Sequence, residues 1–260
     1  MIETDGPRAA YDGMAAVYDR FTAHHDYAAW TAALESLARA HGLSGRRLLD
    51  VGCGTGKSFL PMLDRGFEVT ACDISPEMVE LARLKAGDRA DVHVADMRRL
   101  PMLGRFDLVT CLDDAVNHLL SADEVADALE GLRANLAPGG LLIFDVNTLA
   151  AYRAVPDVVV EDDECLLRWR GGLAELSEPG GEAEVIIDVF AHQGDGLWRR
   201  SLSRQRHRHH PVDDLRELIE EAGLEVVAVL GQRPGAVLDT ELDEQLHRKA
   251  VFISRREGRS

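Results

Sequence analysis

The chain has 260 residues, 46% of them hydrophobic, and a formal net charge of −16. That length and apolar content suit one large α/β domain, or one domain with a small insertion, and exclude a disordered chain. The acidic balance argues against nucleic-acid backbone or an anionic membrane surface as the main partner, since both need a cationic face.

Residues 26–41 place Trp30, Leu34, Leu37 and Ala38 at helical spacing, and Gly42 follows as a stop. A strand–helix alternation then begins. Arg47–Val51, Phe67–Cys72, Val92–Ala95, Phe106–Cys111 and Leu141–Val146 read as strands, apolar enough to be covered on both faces. Between them Ser75 is placed to cap a helix with Pro76 at its first position, and Ser121 to Glu124 form a capping box. Alternation of this kind implies right-handed crossovers and a parallel sheet. After about residue 150 the rhythm changes. Leu166–Arg170, Glu184–Ala191 and Leu197–Gln205 read as strands, with turns at Pro179-Gly-Gly and Gly194-Asp-Gly and no helix between them, which predicts an antiparallel insertion. Helix Val212–Ala222, strand Glu225–Leu230 and a last strand near Ala250–Ser254 resume the first pattern.

The most informative motif is Leu48-Leu-Asp-Val-Gly-Cys-Gly-Thr-Gly56, a buried strand running into a glycine turn that is expected to open a helix. Glycines let the backbone approach a ligand closely, and helix amides face it. Asp73, at the end of the second strand, can accept both hydroxyls of a ribose. A nicotinamide enzyme would show GxGxxG. Here the glycines are 52, 54 and 56, Lys57 follows, and Asp50 would crowd a pyrophosphate but can take an ammonium group.

Together with ACDISPEMVELAR around Asp73, Ala95-Asp-Met97, FDLVTCLDDAVNHL and LRANLAPGGLLIFDVN, the motif resembles the class I S-adenosylmethionine-dependent methyltransferases over roughly residues 45–148. The resemblance implies a Rossmann-like, seven-stranded, mostly parallel sheet with helices on both faces and an antiparallel β insertion after the fifth strand. It divides the chain into lid helices and cofactor-binding core (1–150), substrate roof (151–210) and the last part of the core sheet (211–260). It implies S-adenosylmethionine as cofactor, with Asp50, Gly52 and Gly54 along the methionine part. Asp73 would hold the ribose, Ile74 would pack on adenine, Asp96 would take the adenine amino group beside Met97, and Leu112 and Asp113 would lie beneath the sulfonium. No metal is needed, because the donor is already activated.

The segment Cys111–Leu119 resembles that of glycine N-methyltransferases and amino-sugar N,N-dimethyltransferases, several of which carry a histidine where His118 stands. This makes His118 the candidate general base or substrate orienter, with Asp114 and Asn117 secondary. Asp113-Asp114 departs from the small or hydroxyl residues of the sugar enzymes. The N-terminal YDGMAAVYDRF resembles a Tyr-bearing lid helix, with Tyr18 and Trp30 toward the cofactor and Tyr11 toward the substrate. In the roof, Arg168, Trp169, Arg170, Phe190 and His192 are candidates to reach the acceptor, with both arginines on the face opposite Trp169.

The run Arg204-Gln-Arg-His-Arg-His-His210 is a basic exception in an acidic chain. Its readings are an anion-binding strand, a solvated strand or a homodimer surface; a metal site lacks further ligands at the right spacing. The expected function is methyl transfer to a small molecule, nitrogen before oxygen or carbon, in bacterial secondary metabolism. An NAD-dependent oxidoreductase and a non-catalytic cofactor-binding module are the alternatives. Four unpaired cysteines and the absence of a basic-then-apolar leader point to the cytoplasm. Only three of the basic residues are lysine (Lys57, Lys85 and Lys249), an arginine bias that fits a GC-rich bacterial source.

Overall fold

The computed structural model describes residues 2–154, 158–171 and 178–258. The strand–helix alternation builds an eight-stranded sheet. Its parallel part holds β2 (Arg47–Val51), β3 (Glu68–Asp73), β4 (Ala90–Val94), β5 (Phe106–Cys111) and β6 (Leu136–Asn147). Three antiparallel strands, β11 (Leu224–Arg233), β12 (Val237–Asp239) and β13 (Lys249–Arg256), extend it in the order β12-β11-β13-β6-β5-β2-β3-β4. The sheet therefore has one strand more than the seven expected. The extra one, β12, is three residues pairing with Gly231–Arg233 at the sheet edge, too short to carry an alternation signal.

The apolar strands are covered on both faces. Leu48, Val251 and Ile253 pack beneath α2 (Tyr27–Ala40), α3 (Leu60–Asp64) and α4 (Pro76–Ala86). Leu49, Val51 and Phe252 pack beneath α5 (Ala122–Asn135) and α7 (Val212–Glu221). Phe144 of β6 stacks on Phe252 of β13 at a centroid distance of 4.9 Å, locking the antiparallel extension to the parallel part. At the start of β6 a Cβ on Gly140 would stand 2.9 Å from the Phe106 carbonyl, so only glycine lets β6 approach β5 there.

The helices α4 and α5 have the caps read from the sequence, and α2 has one that was not, at Asp26. Asp26, Ser75 and Ser121 each accept a backbone N–H three residues on. No helix among the described residues is long and apolar enough to cross a membrane.

A second sheet has the order β1-β10-β9-β8-β7. Its antiparallel strands are β7 (Val158–Glu161), β8 (Cys165–Gly171), β9 (Glu182–His192) and β10 (Trp198–Arg208), and α6 (Leu149–Ala154) leads into it. The N-terminal β1 (Ile2–Asp5) joins β10 in parallel, an element with no sequence signal of its own. The inner face of this sheet presents Leu167, Val185, Ile187 and Val189 to Ala10, Met14 and Val17 of α1 (Pro7–Phe21). Helix α1 is thus held between the second sheet and α4, whose Met78 shares the same cluster.

Phe252 is fully buried. Phe252→Ala is expected to lower the unfolding free energy in urea by about 3–5 kcal/mol, whereas Phe252→Leu retains most of it.

Candidate active site

Strand β2 pairs with β3 on one side and β5 on the other, so the strand order reverses there, and ligands of open α/β sheets bind at the carboxyl ends of such strands. A cavity opens at that point. It is lined by Tyr11, Tyr18, Gly52, Gly54, Asp73, Ile74, Asp96, Met97, Leu112, Asp113 and His118, all singled out by sequence. Tyr27, Lys57, Arg98, Ala115 and Glu124 are among the other residues of the wall, none of them a candidate site residue from the sequence.

The turn after β2 differs from expectation. Gly52, Gly54 and Gly56 all have positive φ, and the chain stays in turns until Leu60, where α3 begins. The backbone of the turn, rather than a helix N-terminus, therefore borders the cavity. The amides of Gly52 and Cys53 both donate to the Cys72 carbonyl, which pins the turn to β3. The Asp73 carboxylate accepts the amides of Gly54 (2.8 Å) and Ser75 (2.9 Å). Burial raises its pKa and these amides oppose the rise.

Asp50 lies beneath the turn and does not line the cavity. It is 1% exposed and accepts the hydroxyls of Ser58 (2.5 Å) and Thr110 (2.7 Å). Burial pushes its carboxyl up to about 6 against those two bonds. Its placement is that of a buttress, because it is buried beneath the turn and away from the cavity wall.

Asp96 accepts the Arg98 amide and is clamped by its guanidinium at 2.6–3.1 Å, and Arg98 also reaches Glu124 at 3.0 Å. Burial works to raise the Asp96 carboxyl, but Arg98 holds it below its ordinary value. This end of the cavity is thus closed by one cation between two carboxylates.

At the end of β5, Asp113 and Asp114 have φ of 59° and 55°. Their amides donate to the two oxygens of Asp145, at 2.9 and 2.8 Å. Lys249 of β13 reaches Asp113, Asp114 and Asp145 at 3.0–3.2 Å, and the Tyr27 hydroxyl donates to Asp113 at 2.6 Å. Burial works against the charges here, but Lys249 holds Asp113 below the usual carboxylate range, and the three carboxylates hold Lys249 charged. Asp114 gives one oxygen to Lys249 and does not line the cavity. Lys57 stands over the Tyr27 ring at 5.0 Å and donates to the Thr22 carbonyl.

The helical turn Ala115–His118 follows. His118 Nε2 and the Tyr11 hydroxyl are 3.0 Å apart, and both groups line the cavity. The ring of His207 stands edge-on to that of His118 at 4.3 Å. Burial, with His207 adding to it, pushes the His118 imidazole down to about 3. Asn117 is fully buried, donates to the Arg208 carbonyl and accepts the Asn147 amide, so its role is to tie the turn to β6 and β10.

Several expected contacts do not form. Trp30 sits in the core between α2 and the sheet, where its helical spacing places it. Of the candidates in the second sheet only Trp169 faces inward, stacked on Phe21 at 5.1 Å. Arg168 and Arg170 lie on the outer face by strand alternation. Phe190 packs under Arg200 at 5.1 Å and His192 against Trp198 at 5.3 Å, both away from α1. The Arg204–His210 run splits the same way: Arg204 and Arg206 pair outward with Glu184 and Glu182 at 2.8 Å, while His207 and His209 are buried inward.

Removing one partner of a buried ion cluster leaves uncompensated charge. Lys249→Met strands three carboxylates and is expected to lower the unfolding free energy by about 3–5 kcal/mol, measured by urea denaturation. A loss below about 1 kcal/mol would show that the cluster carries no net weight.

A family model for a methyltransferase domain matches residues 48–140. YqeM of Bacillus subtilis (strain 168), named as a methyltransferase, is 30% identical over 248 residues, covering 92% of this chain and 94% of that protein. A dTDP-3-amino-3,6-dideoxy-alpha-D-glucopyranose N,N-dimethyltransferase of Streptomyces fradiae is 35% identical over 147 residues, covering 55% of this chain and 56% of that protein. A crystal structure of an S-adenosylmethionine-dependent methyltransferase from Clostridium acetobutylicum ATCC 824 shares the fold with a TM-score of 0.79 at 21% identity, over 95% of this chain and 99% of that one. The nicotinamide reading falls away. With the glycine turn, Asp73 and the cavity at the strand reversal in place, and with likeness to YqeM along nearly the whole of both chains, this chain belongs to the class I S-adenosylmethionine-dependent methyltransferases.

Proposed function

We propose that the protein methylates an amine nitrogen of a small-molecule acceptor, in bacterial secondary metabolism. The observation that carries this reading is the Tyr11–His118 pair, which faces the cavity across from Leu112 and Asp113. The turn fits the cofactor: a Cβ on Gly54 would stand 3.5 Å from the Tyr18 ring, space that the bare backbone leaves to a ligand under that ring. When bound, S-adenosylmethionine supplies an electrophilic methyl on a sulfonium.

The chain's own residues do the rest. Asp73 is placed to accept the ribose hydroxyls, Asp96 to accept from the adenine amino group beside Met97, and Asp113 to set negative charge near the sulfonium. Tyr18 and Tyr11, on α1, exclude water. An amine must lose a proton as it is alkylated, and a neutral imidazole can take that proton directly or through the Tyr11 hydroxyl. Burial keeps His118 uncharged throughout the physiological range, so its ring can accept a hydrogen bond from the amine and orient the nitrogen lone pair. A ring this hard to protonate acts as an orienting group and carries a proton only transiently. Relatives named as N,N-dimethyltransferases and as O-methyltransferases both occur, and nitrogen is favoured because the former match more of this chain, 55% and 70% against 28–46%.

Two measurements test this. Titration calorimetry with S-adenosylmethionine is expected to show Asp73→Ala binding about 10–100-fold more weakly, the loss of charge-assisted hydrogen bonds. Unchanged affinity would reject the ribose assignment. His118→Ala should keep that affinity and slow the formation of S-adenosylhomocysteine from S-adenosylmethionine in the presence of amino-sugar and other small-amine acceptors by about 100-fold. The wild-type rate should show no inflection near pH 6.5, the ordinary histidine value, because the imidazole is already neutral there. An unaltered rate in His118→Ala leaves the histidine structural, and no release with any amine returns the reading of a non-catalytic binding module.

A further inference from the structure

Strand β10 sends Ser203, Gln205 and His207 to the inner face of the second sheet. Their cross-strand neighbours on β9 are Ile187, Val185 and Ala183, so packing alone would call for apolar side chains. Gln205 and His207 are each 2% exposed. Neither polar atom of the Gln205 amide has a hydrogen-bond partner, and neither has His207 Nε2 or, across from it, His118 Nδ1. Buried polar groups are almost always satisfied, so a cluster of orphans needs a reason. This one begins directly behind His118, a wall of the cavity, and the Trp169 ring stands edge-on to His207 at 6.2 Å.

We propose that Gln205 and His207, adjoining the cavity through His118, form an acceptor subsite that binds uncharged hydroxyl or amide groups neighbouring the methylated amine. This rests on the small-molecule N-methyltransferase reading. The chemistry of the subsite is neutral. An amide offers both donors and an acceptor, and a neutral imidazole offers one of each. Burial holds His207 at about 4 and His118 at about 3, so neither carries charge near neutrality. Of the arginines at this end of the strand, Arg204 and Arg206 point outward and pair with glutamates, and Arg208 is held by the Leu120 carbonyl at 3.0 Å and by Glu182 at 3.8 Å. Groups that both donate and accept, hydroxyls above all, match this set. A phosphate does not.

The test is a histidine NMR titration of the protein saturated with S-adenosylhomocysteine, the His207 signals being assigned with His207→Phe. A 3-amino-3-deoxyhexose is expected to shift the His207 signals with a dissociation constant of about 1–10 mM, and inorganic phosphate to leave them in place. Gln205→Leu should weaken that binding about tenfold and leave the affinity for S-adenosylmethionine unchanged. It should also raise Tm by about 2–4 °C, since an unpartnered amide is removed from the interior. A shift by phosphate, no shift by the amino sugar, or a fall in Tm on Gln205→Leu would each overturn the proposal; the last would assign the row to the folding network. The titration needs no turnover. Shifts without methyl transfer would leave the subsite standing and reject the enzymatic reading, whereas methyl transfer without shifts would do the reverse.

Discussion

Asp113 and Asp114 take left-handed backbone in succession, a conformation that costs free energy for any residue with a Cβ and that aspartate tolerates better than most. What holds them there is the fully buried carboxylate of Asp145, which accepts both of their amides and is itself matched by Lys249. The turn Ala115–His118 starts from that bend, so the position of the His118 ring follows from it. Asp113 then serves two masters: one oxygen meets Lys249 and the other meets Tyr27, which comes from α2. Strands β5, β6 and β13 and helix α2 thus meet at one group of charges, and the reacting end of the cavity is as rigid as that meeting point.

The cavity is electrostatically sorted around this centre. Asp73, Asp96 and Asp113 bring carboxylates to its wall, which under the proposed assignment would balance a sulfonium and an ammonium. His118, which lines the wall, and His207 behind it are kept uncharged by burial. Of the arginines of β10, Arg204 and Arg206 pair outward with glutamates and Arg208 donates to the Leu120 carbonyl.

Much of this was readable in advance. The parallel strands, the capping residues Ser75 and Ser121, the glycine turn and Asp73 are local signals that tertiary structure does not override. Lys249 was visible as one of three lysines in the chain, yet nothing local tied it to Asp113, since 136 residues separate them. Strand alternation correctly placed Arg168 and Arg170 opposite Trp169, but which face turns inward depends on α1 packing against the sheet, and that is set by long-range burial. Trp30 shows the reverse difficulty: helical spacing marks a buried aromatic without saying which of several cores receives it. Asp50 stood at the right place in the motif, but the turn folds over it and leaves it buried against Ser58 and Thr110 rather than on the cavity wall.

The parallel pairing of β1 with β10 carries a mechanical consequence. The Gly6 amide continues the pairing by donating to the Arg204 carbonyl, so α1 leaves directly from a strand stitched to the second sheet. A helix tethered in this way cannot swing from its amino end as a free flap. Either it pivots about its far end near Phe21, peeling a four-residue edge strand as it goes, or it moves as one body with the sheet. The part of the cavity wall that Tyr11 and Tyr18 supply is in this way fastened to the edge of a β-sheet, and any displacement of that wall has to be taken up there.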